Sequence, residues 1–471
     1  MLFTQIEFFF FLAAVFAAVL LVRNHRAQKA ILLVASYYFY AYWDWRFAGL
    51  LLVCTAVNYW LAGRMEGSSP VRRKLLVTVA LVYSLGVLGL FKYFNFFVDS
   101  FRTMAGVAPD AASTLDLILP AGISFYTFQT LSYTIDVYRG NLRQCLRFSD
   151  FALFVAFFPQ LVAGPIVRAS EFLPQLETPR NLSWERAYDG FRQFVLGLFK
   201  KVFIADRLAA FVDPGFENAA ALSGLTLWIV VLAYAVQIYC DFSGYSDMAI
   251  GIARAMGYDF TRNFDHPYLA TSIQDFWRRW HISLSSWLRD YLYVPLGGNR
   301  LGRFRTYLNL FVTMVLGGLW HGANWTFVIW GAWHGIALAL DRLLTGKDTG
   351  RSARPLTRKL PGFFRSLLGW ALTMIIVLVG WVFFRSPDVN TALSILARMA
   401  TFASGVAWYH PFTLGVLGGI ALYHALLAAG KSAWFELKPD TVRGPAILFT
   451  LIWLVIAFYP REFQPFIYFQ F

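Results

Sequence analysis

The chain has 471 residues, of which 58% are hydrophobic, 18% aromatic and only 14% charged, with a mean hydropathy of +0.53. This excludes a water-soluble globular domain and points to an all-α, polytopic integral membrane protein, because no strand alternation supports a transmembrane barrel. The formal charge of +14 comes from 41 Lys and Arg against 27 Asp and Glu, and it gathers in loops between apolar runs without any RNA or DNA motif, so nucleic acid is excluded as a partner.

In chain order, the first apolar run is Phe8 to Val22, and the basic cluster Arg23, Arg26, Lys29 follows it. A cleaved signal peptide would carry its charge in front, so this run predicts a retained helix with its N-terminus outside the cytoplasm. Residues 30–42 and 47–62 predict two helices around the polar break Asp44, Trp45, Arg46. The basic loop with Arg64, Arg72, Arg73 and Lys74 then returns to the cytoplasmic side, before the run Leu75 to Leu90.

Residues 116–140 mix apolar and hydroxyl side chains around Pro120 and Gly122, and residues 157–168 (FFPQLVAGPIVR) carry two prolines and a glutamine. Both read as broken or re-entrant pieces lining a cavity, where non-helical backbone is tolerated at membrane depth; loops at the bilayer surface are the alternative. Lys200, Lys201 and Arg207 suit an interfacial helix. After the run Leu225 to Ile238 come Asp241 and Asp247. They would either relay protons or, through Ser246 or Asp247, cap a new helix ending near Met256; capping is the favoured reading.

The stretch from Asp275 to Gly335 sets His281, His321 and His334 among tryptophans, arginines and glycines, and ionisable groups in such apolar surroundings suggest a working site. A capping box at Ser272 to Asp275 and the Pro295, Gly297, Gly298 stop predict one helix over 273–292, about five turns long. On it Trp277, His281, Leu284, Leu288 and Tyr291 share one face, which turns His281 inward with Arg278 and Arg279 beside it. A second helix from Tyr307 to about Leu316 runs into Gly317-Gly318-Leu319-Trp320-His321-Gly322, so that glycines place His321 at a break. Asn324 starts the following helix, inside which His334 reads as structural. The loop from Arg342 to Arg365 is predicted to be cytoplasmic, and the runs Leu367 to Phe384 and Ile447 to Tyr459 end the chain's spans.

Metal chemistry has no support, for there is no HExxH and the spacing from His281 to His321 fits no ligand pattern. Cys54, Cys145 and Cys240 form neither a CxxC pair nor a metal site. Serine hydrolysis, nucleotide hydrolysis and hydride transfer lack their motifs too.

The segments FWRRWHISLSSWLRDYLYVPLGGNR, LGGLWHGANWTFVIWGAWHG, LPAGISFYTFQTLSYTIDVYRG, FFPQLVAGPIVR and YCDFSGYSDMAIG resemble the membrane-bound O-acyltransferase family. Within it they look most like the bacterial branch that acetylates polysaccharides such as alginate. The resemblance covers about residues 30–340 of what it implies is one membrane domain over 1–471, while the helices of 366–471 carry no signature. It implies about ten or more transmembrane helices plus re-entrant and interfacial ones around a central funnel.

It further implies a multi-pass protein of the bacterial inner membrane that uses acetyl-CoA as substrate, with no bound cofactor. The acetyl group passes outward to a polysaccharide through an extracytoplasmic acetyltransferase partner. His321 matches the family's catalytic histidine, and His281 matches a second polar position that is asparagine in many eukaryotic relatives. A neutral imidazole at His321 can take a proton from an acceptor hydroxyl attacking a thioester, or can itself be acetylated. His281, an arginine such as Arg278, or amides near Gly317 and Gly318 would stabilise the oxyanion, and Arg278, Trp320, Gly318 and Asn324 are the candidates for supporting the acyl donor. The competing class is a proton-coupled transporter or flippase, which would use the histidines with Asp241 and Asp247; no internal repeat supports it.

Overall fold

The structure is a computed structural model that describes residues 1–107, 115, 117–162, 164–180, 182–345, 362–431, 437 and 441–459. Among these the regular elements are all helices, with one isolated bridge between Leu222 and Val406 as the sole β pairing. Six helices are long and apolar enough to cross a membrane: Trp45–Gly63, Pro70–Met104, Gly224–Ala255, Trp325–Leu344, Gly362–Arg385 and Pro411–Ala428. Ile6–Leu21 and Arg443–Ala457 are shorter apolar helices. The all-α, polytopic expectation therefore holds.

The contacts divide into two compact units, residues 1–197 with 245–261, and residues 198–244 with 262–471. In the first unit the expected N-terminal helices occur as Ile6–Leu21, His25–Ala41 and Trp45–Gly63. Asn24 and Asp44 cap the last two by accepting from backbone amides of their first turns, which explains the polar breaks.

Residues 116–140 depart from expectation. From Ile123 to Arg139 they form a regular and almost wholly buried helix, entered through Gly122 at φ +73°. A Cβ on Gly122 would lie 2.5 Å from the carbonyl oxygen of Leu161, so only glycine fits there. Two of its threonine hydroxyls bond inside the protein: Thr130 donates to Tyr126 O, and Thr134 shares its hydrogen between Thr130 O and Asn58 Oδ1. Residues 157–168 are irregular as predicted, with a single turn at Phe158–Leu161, and are largely buried.

The helix Gly224–Ala255 runs without interruption through Asp241 and Asp247, so the capping expected at Ser246 or Asp247 does not occur. Its C-terminal part, in the first unit, meets the helix Trp184–Phe199 where Gly190 and Gly251 touch, and Gln193 donates to Asp247 there. Its N-terminal part carries Asp241 in the second unit. Lys201 is not interfacial but 2% exposed, with its Nζ 2.7 Å from carboxylate oxygens of both Asp206 and Asp241. Burial, with the Asp241 carboxylate beside it, raises the Asp206 carboxyl above the usual carboxylate range against the pull of Lys201. Asp241, one of the two acids weighed as a proton relay, is thus tied into an ion cluster.

In the basic loop from Arg342 to Arg365, residues 346–361 with Lys347, Arg351, Arg354, Arg358 and Lys359 lie outside the described residues.

Candidate active site

The stretch around His281 shows the largest departure from its predicted form. Ser272 caps a helix as expected, its hydroxyl accepting from Asp275 N at 3.1 Å, but that helix is only Ile273–Arg279. The chain then breaks at Trp280 and His281 and restarts as Ile282–Leu288. His281 sits in the left-handed region at φ +44°, a conformation costing about 1–3 kcal/mol for a non-glycine residue and held only where the surroundings over-determine it.

Here a segment about twenty residues upstream does so. Asp265 N donates to Arg279 O at 2.9 Å, and Ile282 N donates to Asn263 O at 2.8 Å. The side-chain oxygen of Asn263 accepts from Ser283 N and Ser283 Oγ and lies 3.2 Å from His281 Nδ1. His281 is therefore not one residue on a continuous helical face but the pivot of a stapled break.

Its imidazole is wholly buried, 4.6 Å between ring centres from Phe242, 6.0 Å from Trp320 and 6.5 Å from His321. Burial pushes the ring's pKa down to about 3, so at neutral pH it is uncharged. Arg279 is spoken for by Asp275 at 3.0 Å, one turn back along its own helix.

His321 is the last residue of the helix Arg303–His321, after which Gly322 is extended. It is 4% exposed, and its ring is walled by Trp320, Trp330 and Phe384 at 5.0, 5.1 and 5.3 Å between centres. The expected break exists, but it lies after His321. Gly317 and Gly318 are within the helix, where their amides serve its own hydrogen bonds, so they are not oxyanion donors.

Gly318 has a different task. A Cβ there would lie 2.2 Å from Phe327 O and 3.1 Å from Gly331 Cα, so the helices Arg303–His321 and Trp325–Thr345 cross in backbone contact at this glycine. Gly318→Ala is expected to force them apart at a cost of about 1–3 kcal/mol and to lower the thermal unfolding temperature in detergent. A parental unfolding temperature would show that the crossing is looser than described.

Asn324 starts the following helix as predicted, accepting from Thr326 N and donating to Pro387 O, so both ends of its amide are engaged structurally. His334 lies inside that helix, fully buried against Trp277, Trp330 and Phe276. Neither of its ring nitrogens has a hydrogen-bond partner among the described residues.

A cavity of about 370 Å³ opens onto His321. Its walls carry Arg278, Arg289 and Arg342 together with Trp277, Trp330 and Ser285. Of the residues singled out from sequence, Trp277, Arg278, Leu284, Leu288, Gly317 and His321 line this cavity. Trp320 and His281 stand behind His321, and Gly318 and Asn324 build its helices. Arg289 and Arg342 were missed because each reads as an ordinary basic flank; only proximity in space marks them. Asp241 and Asp247 do not line the cavity. Chemically, this is an imidazole at the end of a chamber with an aromatic wall and guanidinium groups, suited to a substrate that joins an anion to a reactive acyl group.

Comparison with known proteins agrees with that chemistry. Residues 141–347 match the profile of MBOAT, the membrane-bound O-acyltransferase family. A probable alginate O-acetylase of Pseudomonas putida is 41% identical over 471 residues, covering 93% of each chain. A second, from Azotobacter vinelandii, is 46% identical over 374 residues, 78% of this chain and 72% of the relative. The peptidoglycan O-acetyltransferase of Helicobacter pylori is 40% identical over 403 residues, 80% of this chain and 74% of the relative.

Proposed function

The chain belongs to the membrane-bound O-acyltransferase family and is a multi-pass membrane O-acyltransferase, and on that premise we propose that it acetylates polysaccharide hydroxyls, with acetyl-CoA from the cytoplasm as donor. The observation that carries this reading is the placement of His321 at the end of a chamber lined by Arg278, Arg289 and Arg342. Guanidinium groups match the phosphates of the coenzyme, which supports a nucleotide-bearing thioester as donor.

In this account His321 is the general base. It takes the proton of an acceptor hydroxyl as that oxygen bonds to the thioester carbonyl carbon; the tetrahedral intermediate then collapses, breaking the C–S bond, and His321 returns the proton to the departing thiolate. Acetyl-CoA is consumed as a substrate, and no resident cofactor is invoked. We place the protein in the bacterial inner membrane, with the acetyl group moving outward to a separate extracytoplasmic acetyltransferase that completes polysaccharide modification.

Purified protein in liposomes tests the reading, through release of coenzyme A and transfer of labelled acetyl. Arg278→Ala is expected to raise KM for acetyl-CoA about 10- to 100-fold, the loss of a charge-assisted hydrogen bond, while leaving KM for acetyl-pantetheine, which lacks the nucleotide phosphates, unchanged. Equal effects on both donors would remove Arg278 from phosphate recognition.

A further inference from the structure

Asn263 lies outside every motif that the sequence singles out, yet its side chain is buried, at 1% exposure, against the break at His281. Ser283 N is an obligatory donor and stands 3.1 Å from the Asn263 amide, so the atom facing it is the amide oxygen and not the NH₂ group. The same oxygen is 3.2 Å from His281 Nδ1. A lone pair on Nδ1 would there oppose the lone pairs of the oxygen. The other polar atom near Nδ1, Ser283 Oγ at 3.5 Å, already gives its hydrogen to Asn263 at 2.9 Å. Nδ1 must therefore carry the ring hydrogen, and Nε2 must carry the lone pair. His281 Nε2 is buried and has no hydrogen-bond partner among the described residues.

From this we infer that Asn263 is a positioning residue for the acetyl transfer: it locks His281 in the Nδ1–H tautomer, so that His281 Nε2 accepts a hydrogen bond near His321 instead of donating one to an oxyanion. The role in turnover rests on the function proposed above, whereas the tautomer does not. An acceptor at this place suits the N–H on the far nitrogen of the His321 ring, which becomes a stronger donor once the near nitrogen has taken the hydroxyl proton. The ring centres are 6.5 Å apart, a span that one water bridges. Stabilising the resulting imidazolium favours the step that forms it, as a group holding a base's far nitrogen does elsewhere.

The test joins a spectrum to kinetics. In ¹⁵N-histidine-labelled protein in liposomes at pH 7, the signals lost in His281→Asn belong to His281, and they should show a protonated Nδ1 and an unprotonated Nε2. Asn263→Ala should populate the opposite tautomer and lower kcat about 10- to 100-fold, with KM for acetyl-CoA changed less than about 2-fold. Asn263→Asp keeps the acceptor and should recover most of the turnover even if the alanine variant fails to fold. Among the described residues, the side chains whose rings or hydrogen bonds face His281 are Phe242, Phe264, Trp320, His321, Asn263 and Ser283, and His321 is the ionisable one of these. A carboxylate at 263 favours the charged ring, so the acid limb of the pH–rate profile should move to higher pH. A protonated Nε2 in the parent protein overturns the proposal, as does an unchanged kcat in an Asn263→Ala protein whose tautomer has switched. If the parent shows the inferred tautomer but transfers no acetyl group, the proposed function fails and the tautomer assignment stands.

Discussion

His321→Ala is expected to lower kcat for acetyl transfer at saturating donor by about 10²- to 10⁴-fold, the usual range for removing a general base. The loss should fall on the chemical step. His321 is the terminal residue of its helix, so truncation removes no interior helical turn, and its ring lines a cavity on one side, so the protein already tolerates space there. The unfolding temperature should accordingly stay close to the parent's. His334→Ala provides the contrast. It empties a site packed on three sides by aromatic rings, and its main effect should be a drop in unfolding temperature of the kind that follows large-to-small changes in a core.

The second large effect is expected at His281, where the two obvious replacements should differ. Asparagine tolerates the left-handed backbone that this residue adopts at φ +44°, and its amide can both donate toward Asn263 and accept on its other side. Alanine does neither and leaves the oxygen of Asn263 one donor short in a buried place. His281→Asn should therefore keep the parental unfolding temperature and more turnover than His281→Ala, with the alanine variant losing at least about tenfold more. Equal loss of kcat in two folded variants would mean that the reaction needs a titrating imidazole at 281.

The contrast between these histidines shows what local pattern can reveal. The aromatic and glycine surroundings of His321, the Ser272 cap and the Asn324 helix start are all properties of neighbouring residues, and each is found where the sequence puts it. The break at His281 is not local. Trp277, His281, Leu284, Leu288 and Tyr291 keep helical spacing across it, and what interrupts the helix is hydrogen bonding from Asn263 and Asp265, about twenty residues earlier.

Glycines misled in the opposite sense. Gly317 and Gly318 look like a break but lie within a helix, and Gly318 allows it to touch its partner, because a missing side chain serves either purpose and only the partner helix decides. Lys201 was legible as a charge beside an apolar run, yet its burial depended on Asp241, forty residues on, as its counter-ion. Ser246 and Asp247 in turn looked like a cap because Ser243 and Gly244 just before them weaken a helix in isolation, but not one held by packing over 32 residues.

The most direct test of the central claim is to purify the parent, His321→Ala and His334→Ala, reconstitute each in liposomes, and measure thermal unfolding beside acetyl transfer from labelled acetyl-CoA. The account predicts transfer by the parent, a His321→Ala protein that is folded but at least about a hundredfold slower, and a His334→Ala protein whose deficit follows its lowered stability. A His321→Ala protein with near-parental turnover, next to a folded but inactive His334→Ala protein, would contradict it and move the base to His334.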